Sequence, residues 1–455
     1  PQKLAYHFAA GGVPEKAIKY WTIAGRRSVT RSANLEAIEQ ASAGLALVKK
    51  LPASDTRNAM EVPLQSILGS ALLGSKGYTA PEVRDVFTRA RELCEQIGTD
   101  EHLFQVLVGL WMYYEVSAHY ADALEVGSQL VRIANASGNE GQLVQAHYAR
   151  GFTQFYRGEF EAAKKQFEKA LTFEVEGGDY SSQSASGDDT RTHVRCMLAH
   201  VYWHLGYPKT AVRFVEESTE LARSVEQPYA ITFVSFFNGW CHQLRKEPIP
   251  ASSYANECVR LAEENGYGFF VPLGRYIQAW GANFSVGKMA VIEDEVICDK
   301  MRALLDISLG SGVGTGITYL IFELAAELVN MRLYDEALER LEQGWQHIET
   351  FDERFLEPEY FRIKGRVFVA RYGISGDRSD LDKAINNLTA ALARAKMRSG
   401  KGLALRAAID LAGAQYEHGD RAIALETLDS VMSTFEEFDD SGDCIRAREM
   451  RKKLK

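Results

Sequence analysis

Proline is scarce in this sequence, with only 11 in 455 residues. Because proline removes a helix donor and clashes inside a helix, the scarcity predicts long uninterrupted helices. There is no apolar run of about 18 residues, so no segment is suited to span a bilayer as a helix. The opening stretch, PQKLAYHFAAGG, lacks a basic segment followed by an apolar one, so no secretory signal is expected there. The sequence starts at Pro1 without a methionine and enters a helical pattern at once. It is therefore expected to be the C-terminal part of a longer protein. Paired cysteines are missing too. Cys94, Cys196, Cys241, Cys258, Cys298 and Cys444 lie far apart with no CxxC, which argues against a disulfide framework or a zinc ribbon and for a reducing cytoplasm. Basic residues are in deficit, 52 Lys and Arg against 61 Asp and Glu for a net charge of −9, which disfavours nucleic acid as a partner.

Catalytic signatures are equally sparse. Gly287-Lys288-Met289 and Gly400-Lys401-Gly402 lack the upstream glycine and the Ser or Thr of a phosphate-binding loop. The run Gly310-Ser311-Gly312-Val313-Gly314-Thr315-Gly316 follows a segment that reads as helix, not the strand a dinucleotide fingerprint needs, so it predicts a turn. Neither Gly-x-Ser-x-Gly nor His-Glu-x-x-His occurs. The acid pairs Glu263-Glu264 and Glu436-Glu437 read as solvated helix faces. No catalytic residue, no cofactor and no enzymatic activity are expected.

What is present is repetition. A turn residue, an aromatic and two polar residues before an alanine recur at His119-Tyr120-Ala121-Asp122-Ala123, Gly158-Glu159-Phe160-Glu161-Ala162-Ala163 and Gly206-Tyr207-Pro208-Lys209-Thr210-Ala211. The pattern returns at Leu333-Tyr334-Asp335-Glu336-Ala337 and Gly419-Asp420-Arg421-Ala422-Ile423-Ala424. The closing alanines, at 123, 163, 211, 337 and 424, are spaced near multiples of about 42, the period of two-helix repeats with extended helices. The clearest unit predicts one helix over Glu140–Tyr156 and a second over Glu159–Phe173. Ala163, Phe167, Ala170 and Leu171 form an apolar stripe on the second. Gly151, and likewise Gly109, Gly239, Gly281 and Gly365, mark places where helices cross closely. Thr79-Ala80-Pro81-Glu82 predicts a helix start capped by Thr79, and Pro14 and Pro208 mark two more.

The expected fold is all-α, a right-handed superhelical solenoid of about eleven antiparallel hairpins. A single array is expected over 1–455, opening with hairpins over 1–52, interrupted by a mobile acidic loop at 176–189 and capped by a charged helix at 441–455. The alternative is two arrays hinged at that loop.

The unit from Gly158 to Leu171, with Gly151, Ala163, Phe167 and Ala170, resembles the tetratricopeptide repeat. The segments Leu4-Ala5-Tyr6-His7-Phe8-Ala9-Ala10-Gly11, Ala17-Ile18-Lys19-Tyr20-Trp21 and Ala24-Gly25-Arg26-Arg27 look like the region just after the ATPase core of bacterial signal-transduction ATPases. These are the STAND-type proteins, whose tetratricopeptide arrays often accompany adenylate-cyclase or DNA-binding domains. Phe355-Leu356-Glu357-Pro358-Glu359-Tyr360-Phe361-Arg362 and Leu403-Ala404-Leu405-Arg406-Ala407-Ala408 look like their C-terminal repeats. The resemblance implies a cytoplasmic, non-enzymatic sensor and protein-interaction module in contact with an ATPase domain of the same polypeptide. The alternative it leaves is a stand-alone adaptor for peptide cargo.

In such a hairpin array the first helix of each unit lines the inner curve. On that register Tyr148, His200, Trp203, Phe236, Trp240, Arg275, Gln278, Tyr319, Arg362 and Arg366 are expected to line a concave groove, aromatic at its centre and cationic toward the C-terminus. Aromatic and Arg side chains are enriched among binding hot spots, and guanidinium forks suit carboxylate or phosphate. The expected ligand is a peptide, a protein segment or a small anion. His193, Cys196, His200 and His204 share one helix stripe by spacing and have the right donors for zinc. A metal-sensing role through them is a weaker alternative.

Overall fold

The computed structural model describes residues 1–31, 33–98, 102–175, 177–181, 189–285 and 291–455. Among the described residues the regular structure is helical and no strand occurs. The fold is all-α, built from consecutive antiparallel helices. Its contacts group the chain into two units. One comprises Pro1–Arg150, Thr172–Thr190 and Ser311–Val313; the other comprises Gly151–Leu171, Arg191–Gly310 and Gly314–Lys455.

The first unit holds α1 (Gln2–Ala10), α2 (Pro14–Thr30), α3 (Asn34–Val48), α4 (Asp55–Lys76), α5 (Pro81–Ile97), α6 (Leu103–Val116) and α7 (Tyr120–Ser137). The helix α8 (Glu140–Tyr156) follows. The second unit continues with α9 (Phe160–Leu171), α10 (Thr190–His204), α11 (Pro208–Ser224), α12 (Pro228–Leu244), α13 (Pro248–Asn265), α14 (Phe270–Ser285) and α15 (Val291–Gly310). Then come α16 (Ile317–Asn330), α17 (Tyr334–Phe351), α18 (Glu357–Ser375), α19 (Arg378–Met397), α20 (Lys401–His418), α21 (Arg421–Met432) and α22 (Gly442–Leu454).

Six of the prolines fall where a helix tolerates them, while Pro63 lies inside α4. Pro14, Pro81, Pro208, Pro228, Pro248 and Pro358 stand in first turns, where the missing N–H has no intrahelical partner to lose. The alanine–aromatic stripe of α9 is buried through Phe160, Ala163, Phe167 and Ala170, although the helix is shorter at both ends than its periodicity predicts. Two glycines permit close crossing. A Cβ at Gly151 would stand 2.8 Å from the Phe167 ring, and one at Gly365 would stand 2.6 Å from Leu388.

Thr79 does not cap α5. The cap position is Ala80, and the Thr79 hydroxyl donates instead to the Ser311 carbonyl at 2.8 Å, so a tertiary acceptor wins over the local amides. The glycine run 310–316 is a turn, with positive φ at Gly312 and Gly316. The start of α16 is closed by a distant side chain. Glu353 accepts from the backbone N–H of Gly316 at 2.6 Å and of Thr318 at 2.9 Å, and from the Thr318 hydroxyl. The acidic stretch expected to be a mobile loop, 176–189, lies mostly outside the described residues. All six cysteines are buried. Among the described residues no helix is long and apolar enough to cross a membrane.

Within the second unit the last helices return onto the first. Arg354 and Phe355 donate backbone N–H groups to the Tyr156 carbonyl, and Gly442 donates to the Arg245 carbonyl. Glu437 accepts from the N–H groups of Lys209 and Thr210 at the start of α11. Arg245 pairs with Asp439 at 2.8 Å, and Arg406 of α20 donates to the Leu244 carbonyl at the end of α12.

Candidate functional site

That closure decides where the expected groove residues lie. His200 and Trp203 on α10, Phe236 and Trp240 on α12, Tyr319 on α16 and Arg362 on α18 are all buried. The aromatics meet in one cluster. The Trp240 ring centroid is 4.5 Å from His200, 4.8 Å from Tyr319 and 5.7 Å from Phe355, while Phe155 stands 5.5 Å from Phe355. Trp203 carries the Arg406 guanidinium over its ring at 4.8 Å. The groove centre is aromatic, but it is an interior covered by Phe355 and the C-terminal helices, not an open channel. Tyr148 belongs to the first unit, where it is buried edge-on to Trp111 at 5.8 Å.

Arg275 and Gln278 are placed differently from the expectation. Arg275 is exposed and pairs with Glu263, and Gln278 donates to Asn256 at 2.8 Å. Both therefore face α13. The side chain of α14 that reaches Tyr319 is Tyr276, 6.0 Å away between ring centroids, and its hydroxyl donates to the Leu320 carbonyl. The inner stripe is thus shifted by one residue, because Gly274, packed against Val259 and Cys258 of α13, fixes the crossing.

The stripe His193, Cys196, His200 and His204 is buried along its whole length. His193 stacks on Phe233 with centroids 3.7 Å apart, and Cys196 lies 3.2 Å from the His193 carbonyl. His200 donates from Nε2 to the Phe237 carbonyl at 2.7 Å, and His204 donates from Nδ1 to the His200 carbonyl at 2.8 Å. Burial drives the His200 pKa down to about 4 and that of His204 to about 3, so both are neutral at pH 7. Among the described residues no three His, Cys, Asp or Glu side chains converge as a metal site.

The cationic side of the inner face separates into two kinds of arginine. Arg362 donates to Glu359 at 2.6 and 2.7 Å and to Asp410 at 2.7 Å. Arg406 pairs with Asp443 at 2.6 Å. These ionic contacts link α18, α20 and α22, and their cations are already neutralised. Burial alone would raise the Glu359 carboxyl, but Arg362, Arg406 and Lys246 outweigh it and hold its pKa at about 2. Arg366, one turn beyond Arg362, differs. It has no carboxylate within 4 Å among the described residues, and it donates to the Asn330 amide oxygen at 2.8 Å. The same amide donates to Glu327 at 3.1 Å. Burial and the neighbouring Arg362 push the Arg366 guanidinium below its ordinary pKa, while burial pushes the Glu327 carboxyl up. Arg366 is thus a cation that an additional anion would stabilise. The sequence pattern does not disclose the roles of Arg406, Asp410 and Asp443, whose pairings depend on how the last helices fold back.

Residues 192–225, which make up α10 and α11, match the family model of the tetratricopeptide repeat. An uncharacterized protein of Rhizobium meliloti (strain 1021) is 28% identical over 130 residues, which is 28% of this chain and 13% of that protein's length. Among solved structures, a Rap protein complexed with competence and sporulation factor is 14% identical. The match covers 86% of this chain and 99% of the Rap chain with a TM-score of 0.56. A signal-transduction ATPase with numerous domains and a tetratricopeptide repeat sensor, from Pyrococcus horikoshii, is 14% identical. There the match covers 91% of this chain and 67% of that one, with a TM-score of 0.38. Residues 192–225 are thus similar to a tetratricopeptide repeat, and the all-α fold is similar to that of the Rap protein.

Proposed function

We propose that the chain is a non-enzymatic sensor and interaction module that captures a peptide or protein segment through its repeats, with an anionic group of the ligand meeting Arg366. The observation that carries this is the Arg366 guanidinium of the second unit, which donates to the Asn330 amide oxygen at 2.8 Å and has no carboxylate within 4 Å among the described residues. Arg362 and Arg406 serve structure instead, since carboxylates already occupy their forks. Binding of competence and sporulation factor by a Rap protein of related fold supports a repeat array of this kind taking up a signalling factor.

In this reading residues 1–455 act as one array in the cytoplasm, and the chain works behind a nucleotide-switch domain of a STAND-type ATPase. The resemblance of the segments around Leu4–Gly11 and Ala17–Trp21 to the region following such a domain supports it. Because the C-terminal helices cover the aromatic interior, a ligand that binds the uncovered arrangement better shifts the population toward it. The switch domain would read that shift. The test is made on the polypeptide encoded by the complete gene. It is expected to hydrolyse ATP at a rate that a selected peptide ligand alters, and Arg366→Ala is expected to remove the peptide's effect while leaving the basal rate intact. A complete polypeptide with no nucleotide-binding domain would instead favour the peptide-adaptor reading.

A further inference from the structure

The first helices of this acidic protein are a basic stretch. Residues 1–31 carry Lys3, Lys16, Lys19, Arg26, Arg27 and Arg31 against the single acid Glu15, while the whole chain has a net charge of −9. Four of these cations, Lys3 on α1 and Arg26, Arg27 and Arg31 at the end of α2, border a cavity of about 620 Å³. Ser28 and Gln40 also line it, and both are buried, at 1% and 4% exposure. The Ser28 hydroxyl donates to the Gln40 amide oxygen at 3.0 Å, so this part of the lining is an ordered polar surface and not a loose crevice.

The cations are not accounted for by internal pairing. Among the described residues, Lys3, Arg26 and Arg27 are in no ion pair, and Arg31 reaches Glu36 only at 4.0 Å. The C-terminal end of α2 favours some positive charge, but a helix dipole is equivalent to only about half an elementary charge. With Glu36 counted, the lining side chains carry a formal surplus of three positive charges. This surplus belongs to the first unit and is independent of Arg366 and the reading built on it.

We propose that this cavity is a binding site for an organic diphosphate. A diphosphate monoester carries about three negative charges near neutral pH, since phosphate second ionisations lie near pH 6, and so matches the surplus. The guanidinium forks of Arg26, Arg27 and Arg31 are suited to bidentate contact with phosphate oxygens. The volume falls within the range of about 300–1,000 Å³ typical of small-molecule sites, which leaves room for an organic group beside the phosphates. Ser28 and Gln40 supply neutral hydrogen-bonding groups for it.

The test is isothermal titration calorimetry of the 455-residue chain with inorganic pyrophosphate and with a nucleoside diphosphate. Saturable one-to-one binding of at least one probe is expected, weakened tenfold or more in Arg27→Ala/Arg31→Ala. Equal affinity for the two probes would uphold a site that reads the phosphates alone, and tighter nucleotide binding would uphold one that also reads the organic group. Should the double variant lose its helical circular dichroism, Arg26→Gln provides the second measurement, with binding expected to weaken about threefold. Absence of saturable heat with both probes would overturn the proposal, as would binding that the substitutions leave unchanged. Equally effective displacement by a hexaglutamate peptide would also overturn it, by showing a general basic patch.

Discussion

Arg362 on α18 reaches across to Asp410 on α20, donating at 2.7 Å, while its other nitrogens hold Glu359 one turn earlier on its own helix. Both partners of the Arg362–Glu359 pair are buried. Removing one member of a buried ion pair leaves a charge without compensation and costs about 3–5 kcal/mol. Arg362→Ala should therefore lower the urea midpoint of unfolding steeply. Arg366→Ala removes a cation already disfavoured by its surroundings and should cost only about 1 kcal/mol, the worth of its hydrogen bond to Asn330. Urea denaturation followed by circular dichroism separates the two. Equal losses would place both arginines in the structural network.

Acid should weaken the protein well before its ordinary carboxylates titrate. His200 and His204 have folded pKa values of about 4 and about 3, against an ordinary value of 6.5. The unfolded chain therefore binds more protons between these limits, and stability rises with pH across the window. It is complete above pH 6.5 and falls progressively as pH drops toward 4, by on the order of 3 kcal/mol for His200 alone. Glu359 adds a second loss at lower pH, between its ordinary 4.5 and about 2. Urea midpoints at pH 7.5, 6, 5 and 4 should trace the first fall. In His200→Gln, whose amide can still donate to the Phe237 carbonyl, the slope between pH 6.5 and 4 should flatten. An unchanged slope would remove His200 as its source.

The hairpins were legible in the sequence because their signals are local. Pro208 opens α11, the Ala163–Phe167–Ala170 stripe identifies the buried face of α9, and Gly151 marks the crossing onto Phe167. The site was only partly legible. The aromatic centre follows from helical period, but its burial depends on Phe355 and α20 arriving from some 200 residues away, a distance no periodicity reports. The one-residue shift that puts Tyr276 inside in place of Arg275 arises from the packing of Gly274 on α13. Thr79 was misread as a cap for a similar reason, since its acceptor at Ser311 is remote in sequence.

Close helix crossing makes its own prediction. At Gly365 an added Cβ would meet Leu388 at 2.6 Å and the Ala384 carbonyl at 3.3 Å. Gly365→Ala should thus overpack the α18–α19 contact and destabilise by about 1–3 kcal/mol, despite alanine's better helix propensity. Leu388→Ala alone should also destabilise, by opening a cavity. The double variant should be more stable than the sum of the two losses predicts, because each change relieves the other. Strict additivity would show that the crossing adjusts without strain.

The repeats are proposed to capture an extended ligand whose anionic group meets Arg366. The most direct test of this capture is selection of a random-sequence peptide library on the 455-residue chain, followed by fluorescence anisotropy with the enriched peptides. The enriched peptides are expected to share an acidic side chain or to depend on a free C-terminal carboxylate. Their affinity should fall tenfold or more in Arg366→Ala, with the urea midpoint shifted by no more than that variant's small predicted loss. Selected peptides that bind Arg366→Ala as tightly as the unaltered chain, or a library from which nothing is enriched, would contradict this capture.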